Sequence, residues 1–276
     1  MKDLIYDEKD GVGFITLNRP EKRNALSMEL LEELKELIEG ISKKRDVKVV
    51  VLKGAGKDFS SGHDLREILN AHPIDVERLF LKCYEVMLAI RNSPQVYIAM
   101  VRGNAAAAGC QLVAACDLAV ASDNARFSTP GIKIGLFCFT PIAFVSRNVG
   151  RKKAFELGFT GEAITAEEAL RIGLVNKVVP DDQLESETEK LARKIASYAF
   201  DVIASGKRFF YSQLFMEDFQ ALKYATEAIA LYSSSKEAKE GFSQRFYSSN
   251  SNLDFRPVNS LFVIIILSQV MIETKA

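Results

Sequence analysis

Two stretches of this chain put small residues where a backbone amide could meet a ligand oxygen. In GNAAAAGCQLVAACD (residues 103–117), four alanines and a glycine open what reads as a buried helix. The first turn of a helix leaves N–H groups without intrahelical partners, and the aligned peptide dipoles add partial positive charge there. A ligand oxygen reaches those donors only where no side chain stands in front, a condition that residues 105–109 meet. Tight helix packing is the other use of such residues. The second stretch, GAGKDFSSGHDL (residues 54–65), follows the apolar run VKVVVL. Its Gly56-Lys57 does not extend to the GxxxxGK(S/T) of a phosphate loop. The Ser-Ser-Gly-His turn instead presents backbone N–H groups, and one donor from each stretch would make an oxyanion hole.

The elements that must hold these stretches follow from patterning. VGFITLNRP reads as a strand ending before Pro20, and SMELLEELKELIEGIS as an amphipathic helix with Ser27 as N-cap. VKVVVLKG is apolar enough for a strand buried on both faces. A helix over about residues 74–91, a strand in PQVYIAMVRG, the helix of the alanine stretch and a strand in CDLAVASDNARFSTPGI continue the alternation. This predicts an α/β fold with largely parallel pairing. Beyond Pro141 the pattern turns helical, and TAEEALRIGLV opens on a capping box, Thr165 with Glu168. Residues 1–200 therefore form the α/β core, and residues 201–276 a helical region whose tail after about residue 241 is atypical.

Composition narrows the partners. The 276 residues carry 36 Lys+Arg against 36 Asp+Glu, so no overall charge attracts nucleic acid or anionic lipid. No basic-aromatic patch suggests RNA. The four cysteines (Cys83, Cys110, Cys116, Cys138) and two histidines form no recognisable zinc set and read as reduced thiols, so no metal is expected. LFVIIILSQVMI (residues 261–272) is about 12 residues long, short of the roughly 20 a spanning helix needs, so a buried or interface segment is expected. The N-terminus shows no signal or transit peptide, which points to the cytoplasm, or to the mitochondrial matrix if a presequence has been removed.

Five segments in order, NRPEKRNAL, FSSGHDL, GNAAAAGCQLVAACDLAVAS, FSTPGIKIGL and TGEAITAEEALRIGLVNKVVP, resemble the enoyl-CoA hydratase/isomerase (crotonase) superfamily from about residue 12 to residue 241. The resemblance implies a superhelix of ββα units with a helical trimerisation region, assembled as a homotrimer or homohexamer. It implies an acyl-coenzyme A thioester as substrate, with coenzyme A as part of it and no separate cofactor. The enolate would form at the thioester carbonyl, held by the N–H groups of His63 and Ala108. Coenzyme A would lie against Arg23, Ala25 and Leu26, the loop Ser61, His63, Asp64, Leu65 and Arg66, and the wall at Ala107, Ala108 and Pro130. Lys22 and Arg23 would suit its phosphates, or form a solvated turn.

The resemblance fails at the acids. Hydratases of the family place one glutamate three residues after the second amide donor and another after the proline of F-x-x-P. This chain has Gln111 and Gly131 there. An amide exchanges no proton at neutral pH, and acid–base assistance is worth about 10²–10⁴ in rate. Ordinary hydratase activity should be weak, and glutamates at both positions should raise it if Gln111 faces the thioester. Decarboxylase relatives need the amide pair more than a base, because loss of carbon dioxide itself generates the enolate. Gly62-His63-Asp64 resembles their loop, and Cys138 falls near a tyrosine that some of them use. His63 could serve by its ring or only by its backbone, Cys138 as a side-chain group or only as pocket wall. Asp64 would pair with Arg66 or another local cation. The alternatives are thus an altered acyl-CoA enzyme, a malonyl-type decarboxylase among them, and a non-catalytic acyl-CoA binding protein.

Overall fold

A computed structural model describes residues 3–248. The expected apolar segment 261–272 lies outside them. Each turn of the chain contributes a strand to a large sheet, a short rung to a second sheet, and then a helix. The hairpin β1 (Leu4–Lys9) and β2 (Val12–Leu17) leads through a rung at Leu26 to α1 (Met28–Ser42). Next, β3 (Val49–Gly54) runs through rungs at Ser60 and His63 into the short α2 (Arg66–Leu69) and then α3 (Pro73–Asn92). Two further turns are β4 (Val96–Val101), β5 (Asn104–Ala106) and α4 (Ala108–Ala115), then β6 (Leu118–Ser122), β7 (Arg126–Ser128), α5 (Phe139–Val145) and α6 (Arg151–Thr160). The spiral closes with β8 (Ile164–Thr165), α7 (Ala166–Arg171), β9 (Lys177–Val179) and α8 (Leu184–Ala196). Helices α9 (Phe200–Gln213), α10 (Asp218–Tyr232) and α11 (Lys236–Ser248) follow.

The larger sheet has the order β1-β2-β3-β4-β6-β9, antiparallel only between β1 and β2. The smaller sheet is β5-β7-β8. The first four residues of β3, Val49 to Leu52, are apolar and buried because both faces of the strand are covered there. Val50 and Leu52 meet the core built with α1, α3 and α4, whereas Val49 and Val51 meet the layer under α8. The caps read from sequence are present: Ser27 accepts from Leu30 N, and Thr165 Oγ1 accepts from Glu168 N at 3.2 Å. Glu168 itself pairs with Lys153 and Arg171.

The alanine run departs from the expected continuous helix. Ala106 N donates to Ser60 O at 2.9 Å and Ala107 N to Ser128 O at 2.9 Å, so these residues belong to the second sheet. Pairing on both sides outcompetes helix propensity, and α4 starts only at Ala108. Ala107 makes the switch at φ 49° and ψ −117°, a strained conformation for any residue with a Cβ.

A boundary between two compact units falls between Leu222 and Lys223, inside α10. The first carries both sheets. In the second, the described part is the end of α10 and α11.

Candidate active site

The loop after β3 is fixed by buried polar residues rather than by regular pairing. Asn24 is fully buried at φ 52°; its Oδ1 accepts from Arg19 N, and its Nδ2 donates to Ala55 O (2.9 Å) and Asp58 O (2.7 Å). Ser60 Oγ donates to Asn24 O at 2.8 Å and accepts from Gly62 N at 3.2 Å. The Arg19 guanidinium, 5% exposed, donates to Ala25 O at 2.7 Å and pairs with Asp64 at 3.5 Å. The segment 23–26 and the loop 60–66 are thereby locked together. The cation facing Asp64 is Arg19; Arg66 contributes only its backbone N–H, 3.2 Å from Asp64 Oδ1.

This lock sets the direction of the His63 amide. Leu26 N donates to Gly62 O (2.8 Å) and Asp64 N donates to Leu26 O (3.1 Å). In a parallel rung of this kind, the intervening residue turns its own N–H to the opposite side. The start of α4 packs against this loop: a Cβ built on Gly62 would stand 3.2 Å from Ala108 N and 2.9 Å from Ala107 Cβ. Gly62, at φ +92°, is therefore the only residue type that lets the two segments meet without displacement. Gly109, in the first turn of α4, plays the same part on the other segment, since a Cβ there would fall 2.4 Å from Ser60 O. Ala108 opens α4, so its N–H has no partner inside the helix. Both amides lack a protein acceptor among the described residues.

His63 and Ala108 line one cavity of about 840 Å³. Arg23, Ala25, Ser61, Asp64, Leu65 and Arg66 form part of its wall, and so do Ala107, Pro130, Gly131 and Cys138. Lys22 is there too, as are Glu21 and Lys133, the latter paired with Glu162. Leu26 and Gln111 are not on the wall. Leu26 is fully buried and acts through its backbone, ordering the loop. Gln111, placed beside the thioester by helical spacing, is 1% exposed, because all eight residues of α4 are buried and α5 packs against it. Its Oε1 has no partner among the described residues.

Gly131 is closed off in a different way. A Cβ there would sit 2.1 Å from Leu136 O and 2.8 Å from Cys138 Sγ. The returning loop thus occupies the space into which a side chain at 131 would project, and the expectation that two glutamates restore hydration does not survive this geometry. Cys138 Sγ accepts from Gly131 N at 3.2 Å, and burial pushes its thiol pKa up, so it stands as a neutral wall residue.

Burial drives the His63 pKa down to about 4, with the Leu26 backbone opposing the shift only in part and outside hydrogen-bonding geometry. The imidazole is therefore neutral at pH 7. It meets Phe80 edge-on, with ring centroids 4.7 Å apart. Phe80 escapes sequence reading because it lies beside the α3 core stripe of Leu79, Cys83 and Val86; an aromatic just off such a stripe is the signal that was available. Leu136, Phe137, Phe139 and Thr140 also join the wall unannounced, since no periodicity marks the loop that carries them.

The ββα spiral with its helical C-terminal region is a crotonase fold. Residues 7–250 match the enoyl-CoA hydratase/isomerase family. The rat enoyl-CoA hydratase domain-containing protein 3, mitochondrial, is 47% identical over 235 residues, 85% of this chain and 78% of that protein. Among solved structures, an enoyl-CoA hydratase of Mycobacterium smegmatis superposes with a TM-score of 0.88 at 43% identity, covering 90% of this chain and 97% of that one. Human enoyl Coenzyme A hydratase domain-containing protein 3 does so with a TM-score of 0.87 at 42% identity, covering 94% and 100%. The chain belongs to the enoyl-CoA hydratase/isomerase (crotonase) superfamily.

Proposed function

We propose that the chain binds an acyl-coenzyme A thioester in this cavity, its carbonyl oxygen between the N–H groups of His63 and Ala108, and stabilises the enolate formed there. What supports this reading is that His63 and Ala108, from sequence-distant segments, line one cavity and that neither backbone N–H has a protein acceptor among the described residues. Each such hydrogen bond is worth about 2.7–4 kcal/mol when charge develops on the oxygen. Lys22, Arg23 and Arg66 supply positive charge for the coenzyme A phosphates. Proton transfer does not run through the usual carboxylate pair. Gln111 is sealed behind the wall, Gly131 has no side chain, and the neutral His63 ring provides no strong acid. Chemistry in which the substrate itself releases the electrons, such as loss of carbon dioxide from a malonyl-type ester, suits this wall best within the lyase-type reactions of the superfamily.

The same absence of carboxylates favours a second reading, an acyl-CoA binding protein without turnover. Incubation with crotonyl-CoA and a series of malonyl-type CoA esters, followed by mass analysis, separates the two. Efficient conversion of any ester supports the enzyme, and retention of unconverted ligand across the series supports the binder. Failure to bind any ester refutes both.

We also propose a homotrimer or homohexamer as the working form. Helix α10 buries none of its own residues and leaves Phe219, Leu222, Ile229 and Leu231 exposed, which suits burial against another copy. The rat relative is named mitochondrial; we extend that location to this chain in preference to the cytoplasm. No described helix is long and apolar enough to cross a membrane.

A further inference from the structure

The loop that closes off Gly131 continues into a feature the amide pair does not use. Phe137 and Phe139 both line the cavity. Their rings pack edge-on at 5.1 Å between centroids, and Phe137 also meets Phe159 of α6 at 4.9 Å. Phe159 in turn stacks on Phe155 at 4.1 Å and 17°. Four rings therefore form a continuous ladder from the cavity wall out along α6. It rests on a close approach, since a Cβ on Gly158 would lie 3.1 Å from Phe137 Cζ. The outer rings face solvent, with Phe155 61% and Phe159 51% exposed; on the cavity wall Phe139 is 70% exposed, and Ile134 and Leu136 are exposed there too. A contiguous aromatic surface of this kind is costly to leave in water and marks a place where an apolar partner is taken up.

We infer that this ladder is the track of the acyl chain, and that the substrates are long-chain acyl-CoA esters whose tails leave the cavity past Phe137 and lie on Phe159 and Phe155. The inference rests on the reading that an acyl-CoA thioester occupies the cavity. Continuity decides the occupant: the inner rungs are already cavity wall, so a chain attached to a thioester inside reaches the outer rungs simply by being longer. The aromatic faces give it apolar cover with no hydrogen bond to satisfy, as a hydrocarbon tail requires.

The test measures affinities of saturated acyl-CoA esters from two to sixteen carbons, below their micellar concentrations, for the parent chain and for the Phe155→Ser/Phe159→Ser variant. Both positions are exposed and outside the cavity wall, so the fold and short-chain binding are kept. In the parent, affinity is expected to rise roughly two- to fourfold per methylene well beyond four carbons. In the variant it is expected to match the parent for the short esters and to level off for the long ones. A parent slope that stops at about four carbons overturns the inference, and so does a variant with an unchanged slope. A variant that loses oligomeric mass in light scattering while keeping the slope also overturns it, giving the ladder to a second copy of the chain. Should even acetyl-CoA fail to bind the parent, the thioester reading itself falls and the inference with it.

Discussion

His63 carries two properties that pull apart. Its backbone N–H has no protein acceptor among the described residues and is the donor proposed for the thioester, while its ring, beside Phe80, is buried without a hydrogen-bond partner among those residues. The ring pKa of about 4, against an ordinary 6.5, has a consequence for stability. Between those values the unfolded chain binds more protons than the fold, so stability present above pH 6.5 is lost as pH falls toward 4. One such group contributes a slope of at most about 1.4 kcal/mol per pH unit. Urea denaturation at pH 7 and pH 4.5 should show the parent losing about 2 kcal/mol more than His63→Gln; equal losses would mean the ring is not held neutral. Residue types at 63, 108, 111 and 131 were readable from sequence, and so was the missing acid pair. What was not readable is where Gln111 faces. Helical spacing puts it on the Ala108 side, but only tertiary packing around α4, all of whose residues are buried, decides that it is covered.

The loop from Gly131 to Cys138 and the start of α4 are decided by neighbours. A three-residue strand such as β5 has no periodicity, so an alanine run reads as helix until its pairing with Ser60 and Ser128 is known. The longer elements were legible because each has its own signature: Ser27 capping α1, the apolar run Val49 to Leu52 of β3, Thr165 capping α7. For the loop, the expected outcome is that Gly131→Glu, alone or with Gln111→Glu, lowers the melting temperature and gives no gain in crotonyl-CoA hydration. A folded double variant that hydrates faster would show that the Leu136 carbonyl gives way. Helix α9 is fastened differently. Lys207 Nζ donates to Ile90 O (2.8 Å), Gln95 O (2.7 Å) and Asp117 Oδ2 (2.7 Å), and Tyr211 donates to Asp117 Oδ1 at 2.7 Å. Burial pushes the Lys207 pKa down, and Asp117 opposes that shift by holding the charge. Lys207→Met removes one partner of a buried pair and is expected to cost about 3 kcal/mol in chemical denaturation; a loss below about 1 kcal/mol would mean that Tyr211 and Tyr97 N, which donates to Asp117 Oδ2 at 2.7 Å, already satisfy Asp117.

At the scale of the whole molecule, the spiral places His63 of its second turn and Ala108 of its third on the wall of one cavity, and helices α9 and α10 leave large apolar side chains exposed. Light scattering should give three or six times the chain mass, and a clean monomer would leave α10 without a partner. Sequence patterning anticipated the α/β core and the helical region. It could not supply the cavity's shape, which depends on the returning loop and on α3 approaching His63. The amide pair is tested most directly by a crystal structure with a non-reactive acyl-CoA analogue bound. The expected result is a thioester oxygen about 2.7–3.1 Å from both His63 N and Ala108 N. A carbonyl resting elsewhere in the cavity, with those two amides bonded to water or protein, would contradict the account.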